Sequence, residues 1–192
     1  MPSTPSYPGS ADSSGMIAAA IFSATESSMR TESRITASAL TFLPSARVRS
    51  TCVALPLRRS APPLVAAVDR KGFLTEMSVY NILPSDTVLP EYIAAVLNSP
   101  VMHHYVTRIR PISSQIANLS LLRLQDVKDF PIILPEKTTQ HTVAILVNRV
   151  QMLQADFYTG AQRMKIQETI RLIDEKIADI YGITALRGTH TT

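Results

Sequence analysis

The chain has 192 residues, 19 basic against 15 acidic, and a formal net charge of +4, enough for one ordinary domain or a small domain with tails. Its single cysteine, Cys52, excludes an intramolecular disulfide and a cysteine-based zinc site and fits a reducing cytoplasm. Charge permits nucleic acid as a partner without demanding it: residues 1–60 hold six arginines, no lysine and three acids, residues 61–192 thirteen basic and twelve acidic groups, so DNA affinity of a folded part must come from local clustering.

Residues 1–60 are rich in Ser, Ala, Pro and Thr, with apolar residues in no sustained period. Too little surface can be buried there to offset backbone ordering, so the expectation is disorder, or a segment that is not native to the domain. The apolar stretch Met16 to Ala24 is too short to span a bilayer, and no Lys or Arg precedes it. The reading is a cytoplasmic protein with no export and no membrane span.

Leu64 to Val68 is predicted as a strand, Asp69-Arg70-Lys71-Gly72 as its turn, and Phe73 to Leu83 as a second extended segment, most strand-like from Val79 to Leu83. Together they predict a hairpin. Glu91 to Leu97 places Tyr92, Ile93, Val96 and Leu97 at helical spacings on one buried face. Asn98-Ser99-Pro100 interrupts it, because Pro100 lacks a donor and disfavours helix at Ser99. A second short helical stretch, Val101 to Ile109, is ended by Pro111.

From Arg108 to Arg123 the chain is polar and basic, and no acidic residue lies between Glu91 and Asp126. Such a segment is locally positive and suits a phosphate backbone. A leucine-rich turn follows, then Asp126 to Asp129 and the run Phe130-Pro131-Ile132-Ile133-Leu134 closed by Pro135, read as a buried edge strand.

After Pro135 the period becomes helical. Thr138 or Thr139 is expected to cap a helix whose Val143, Leu146, Val147, Val150, Leu153 and Phe157 recur every three or four residues, until Gly160 breaks or bends it. Ile166, Ile170, Ile173, Ile177 and Ile180 form a heptad stripe, and Gly182 stands as its C′ stop.

The helix ending in Leu97-Asn98-Ser99-Pro100, the polar basic segment, Leu124 to Val127 and then Pro131-Ile132-Ile133-Leu134-Pro135 follow one another in an order that resembles the target-recognition domain of restriction–modification proteins. Two branches share it: type I specificity subunits, and the C-terminal specificity domain of TaqI-like adenine-N6 DNA methyltransferases and fused restriction–methylation enzymes. The closing stretch Ile173 to Thr184 is similar to the TaqI-like branch. The resemblance covers roughly residues 64 to 184. It implies an α/β (α+β) fold: a small twisted sheet with packed helices over 61–138, a C-terminal helical arm over 139–187 for dimerisation or docking, and a tail at 188–192.

Arg108, Arg110 and Arg123 are the candidate contacts to phosphate or to guanine O6 and N7, and Ser113, Ser114, Gln115 and Asn118 the candidate contacts to base edges or phosphates. Each arginine is otherwise a solvated surface charge, each polar residue an ordinary loop residue. Adjacent His103 and His104 point about 100° apart on a helix and cannot share a metal. His141 reads as a helix-start surface residue, and Cys52 has no companion base for nucleophilic work.

A methyltransferase of the resembled family needs a Gly-containing S-adenosylmethionine loop and an Asn/Asp-Pro-Pro-Tyr/Phe motif to hold a flipped adenine. Pro62-Pro63 lies instead between Ala61 and Leu64, and no paired-acid and lysine nuclease pattern stands out. The expectation is a non-catalytic DNA-recognition part with no cofactor of its own. It would act on duplex DNA with a methyltransferase or restriction subunit that carries the S-adenosylmethionine, and it would oligomerise through the C-terminal helices. Two alternatives stay open: a helical protein-interaction module, and an inactive truncated remnant of such an enzyme.

Overall fold

β3 (Val79–Pro84), the most strand-like stretch of the sequence, is the central strand of a three-stranded antiparallel sheet between β1 (Leu40–Pro44) and β2 (Leu55–Arg58). The structure, a computed structural model, describes residues 40–44, 53–60, 63–71, 78–109, 115–116, 119–155 and 160–183, all within one compact unit spanning residues 33–192. Phe42 and Leu55 lie on opposite sides of Ile82 in the register, and Leu57 pairs with Tyr80.

Both outer strands fall where composition predicts disorder, and that expectation fails for residues 40–44 and 54–60. Leu55 and Leu57 are fully buried while Pro56 is half-buried and Arg58 exposed, a strand alternation too short to stand out among Ser and Pro. Four residues suffice once β3 supplies the ladder. Cys52 lies outside the described residues.

The expected hairpin between 64–68 and 79–83 does not form. Residues 65–69 run back along β2 instead: Arg58 N donates to Val65 O (3.0 Å), Ala67 N to Pro56 O (3.2 Å), and Ala54 and Asp69 exchange bonds of 3.0 and 2.8 Å. Pro56 has no N–H to return, which leaves isolated bridges rather than a full strand. The Asp69 carboxylate then accepts from Lys71 N (2.8 Å) to turn the chain. Gly72 and residues 73–77 lie outside the described residues.

α1 (Pro90–Asn98) starts with Pro90, whose missing N–H costs nothing at a helix start. Its burial exceeds the single face its periodicity predicts, for Glu91 through Leu97 are all buried. An all-round buried helix is a central one. Glu91, only 3 % exposed, is held by an ion pair with Arg70. α2 (Pro100–His104) continues as one π-helical turn, Tyr105–Ile109.

α3 (Leu124–Lys128) is a single short turn of helix. α4 (Lys137–Ala155) and α5 (Gly160–Ile180) pack on one another and on α1. Thr138 and Thr139 lie inside α4 rather than before it, a boundary shift of the usual size. Phe157 lies outside the described residues. Gln140, 3 % exposed, ties α4 to α1 by accepting from Leu89 N (3.0 Å) and donating to Pro135 O (3.0 Å).

The isoleucine stripe is covered by the chain itself in part: Ile166, Ile173 and Ile177 are 3, 8 and 0 % exposed, whereas Ile170 and Ile180 are half-buried. Gly182 ends α5 with φ +68, its N–H reaching Asp179 O and that of Ile183 reaching Ala178 O, the paired bonds of a Schellman stop.

The run Phe130 to Leu134 is buried from Phe130 to Ile132 and half-buried after it, and apart from an isolated bridge at Ile133 it is no strand of a sheet. Tyrosine hydroxyls take its carbonyls instead: Tyr92 donates to Ile133 O (2.6 Å), Tyr181 to Pro131 O (2.7 Å), with a longer contact from Tyr105 to Asp129 O (3.5 Å). Pro131 has no N–H for a ladder, so tyrosine side chains supplement the single bridge at Ile133. Burial raises the pKa of both the Tyr92 and Tyr181 phenols above the usual value, the neighbouring Tyr181 adding to the effect at Tyr92. Both stay donors.

The architecture is therefore mixed helix and small antiparallel sheet. No helix among the described residues is long and apolar enough to cross a membrane.

Candidate nucleic-acid interface

The turn Leu97-Asn98-Ser99-Pro100 is the joint on which the basic segment hangs. Leu97 is buried, and Asn98 extends its amide to the backbone of Ala66, accepting from Ala66 N (2.9 Å) and donating to Ala66 O (2.8 Å). Ser99 accepts from Met102 N (3.3 Å) as the cap of α2, and Pro100 occupies its first turn. Each residue of the turn has a separate backbone duty. The helical path into the basic segment is thereby fixed against the sheet.

Arg108 sits exposed near the end of the π-helical turn and meets no carboxylate among the described residues. His103 is exposed, and the Thr107 hydroxyl donates to its carbonyl (2.8 Å). Arg110, Ser113, Ser114 and Asn118 lie outside the described residues, as does the side chain of Gln115. Gln115 itself belongs to β4 (Gln115–Ile116), which pairs antiparallel with β5 (Leu119–Ser120), Gln115 opposite Ser120 and Ile116 opposite Leu119. The centre of the candidate segment is thus a short hairpin.

That hairpin is tied to the end of β2. Leu121 bridges Ser60, Leu122 N donates to Arg59 O (2.8 Å), and the Tyr80 hydroxyl donates to Leu122 O (3.2 Å). The link brings Arg58 and Arg59 next to the segment ending at Arg123, two cations the sequence reading passed over as part of a disordered tail. Arg59 lies over the Tyr80 ring at 5.0 Å. Arg58 is exposed and donates to Ser60 O (3.3 Å) and Pro63 O (3.5 Å), backbone oxygens that leave its charge in place.

Arg123 differs. Asp126 accepts from its guanidinium at 3.0 and 3.3 Å and from its backbone N at 2.8 Å, fixing the start of α3 and holding the Arg123 pKa above its ordinary value. Its charge is already matched. Arg123 is better placed as a helix-start residue than as a lone phosphate contact, whereas Arg58 and Arg108 carry unmatched charge.

Among the described residues no group of three or more His, Cys, Asp or Glu side chains could hold a metal ion. His141 is exposed on α4. No protein-family model matches the chain, and no curated protein matches it in sequence.

Proposed function

We propose that this α+β body is the DNA target-recognition part of a restriction–modification system, carrying no catalysis itself and positioning an adenine-N6 methyltransferase or a restriction nuclease on duplex DNA. The observation that carries the reading is the acid-free stretch between Glu91 and Asp126, whose hairpin β4–β5 is tied to Arg58 and Arg59 and preceded by Arg108. A two-stranded ribbon fits the major groove, where base edges carry a distinct pattern of donors and acceptors. The flanking arginines would fix its register on phosphates. S-adenosylmethionine belongs to the catalytic domain or partner subunit.

The alternative of a helix-docking module keeps only part of its support, because Ile166, Ile173 and Ile177 of the stripe that motivated it are buried within the chain while Ile170 and Ile180 are half-buried. The test is selection from a random duplex library with the purified full chain at low salt, followed by a salt titration. Enrichment of a short motif is expected, with the arginines beside the hairpin contributing about −3 to the log–log salt slope through three phosphate contacts. Absence of any binding at low salt would sink the reading.

A further inference from the structure

The helical arm carries a second group of cations, on different elements from the hairpin. Arg149 of α4 and Arg163, Lys165 and Arg171 of α5 line one open groove of about 910 Å³, whose acids are Glu168 and Asp174. These charges do not simply cancel. Arg171 is bound by Glu168 (2.9 Å) and by Glu175, so its charge is satisfied within α5. Asp174 is half-buried, and although that burial pushes its pKa up to about 6 it stays largely ionised at neutral pH, so it offsets one of the remaining cations without pairing with it. Arg149, Arg163 and Lys165 are exposed and reach no carboxylate among the described residues.

A groove too open to enclose a small molecule, where three cations from two helices form no ion pair and stand beside the apolar Met164, Ile170 and Leu172, suits a run of phosphates rather than one anion. We infer that this groove is a phosphate-backbone contact through which the helical arm grips duplex DNA, independently of the bases that the hairpin reads. The inference rests on the DNA-binding reading above and adds to it a second, sequence-blind surface.

The experiment is a salt series of binding by the full chain to two duplexes, one bearing the selected motif and one of random sequence. The chain is compared with an Arg149→Gln/Arg163→Gln double variant and with Lys165→Gln. All three positions are exposed, so thermal unfolding should match the parent. Affinity for both duplexes is expected to fall by the same factor, about tenfold per lost contact in 0.1 M salt, and the slope to shrink by about 2 for the double variant and about 1 for the single. The selected motif stays the same. Variants that keep the parent's affinity and slope, or that change the motif without changing the slope, overturn the groove while leaving the hairpin reading standing. A parent chain that binds neither duplex overturns both.

Discussion

Asn98 gives Ala66 both an acceptor and a donor, so a side-chain amide stands where another strand's peptide group would stand. Ala66 is 7 % exposed, and losing Asn98 would strand both of its backbone groups. Asn98→Ala is therefore expected to lower the unfolding free energy by about 2 kcal/mol, the usual cost of unpaired buried polar groups. Urea unfolding measures it; a loss under about 0.5 kcal/mol would mean that water replaces the amide without penalty. This duty was invisible in the sequence because its partner lies 32 residues earlier. The cap at Ser99 and the stop at Pro100 were legible, since their partners are a few residues away. Distance explains the candidate site in the same way: Arg108 and the acid-free stretch stand out locally, whereas Arg58 and Arg59 join them through the Ser60–Leu121 bridge and the bond from Leu122 N to Arg59 O, more than 60 residues along the chain.

At the scale of elements, the long helices were readable and the sheet was not. α4 and α5 carry a sustained period, and Gly182 marks the end of α5 within its own last turn. β1 and β2 are five and four residues long, and neither carries enough alternation to announce itself without β3 beside it. Inside α5, Asp174 makes the element sensitive to pH. Its carboxyl is raised from 3.8 to about 6 by burial, so between those values the folded chain holds a proton that the unfolded chain has lost. This contribution to stability is fully present below about pH 4, declines as pH rises through 6, and is absent above it. Because the group is half exposed, the expected size is about 1 kcal/mol, well below what two pKa units mean in a dry interior. Asp174→Asn should remove that slope. The measurement is the difference in unfolding free energy between parent and variant at pH 4, 5, 6 and 7, which cancels the carboxylates that titrate the opposite way, such as Glu168 beside Arg171. A difference that does not change with pH would refute the assignment to Asp174.

For the whole molecule, the boundary of the folded unit decides what can be studied in isolation. Composition puts the start near residue 61, and cutting there removes β1 and β2, both of β3's partners. Tyr80, Asn81 and Ile82, now 8, 1 and 1 % exposed, would meet water, and the bridges that hold residues 65–69 and Leu122 would lose their other half. α1 would in turn lose the seat that Asn98 takes on Ala66. Since Asn98 and Leu122 lead into the two ends of the basic segment, the damage would reach the candidate interface as well as the sheet. A chain of residues 33–192 is accordingly expected to unfold in one cooperative thermal transition. A chain of residues 61–192 should show a broad transition that begins at lower temperature, with helix retained in α4 and α5 but near-ultraviolet tyrosine signal weakened. Circular dichroism in both wavelength ranges separates these outcomes. If the shorter chain melts as sharply and at the same temperature as the longer one, the outer strands contribute nothing to the fold and the boundary at 61 stands.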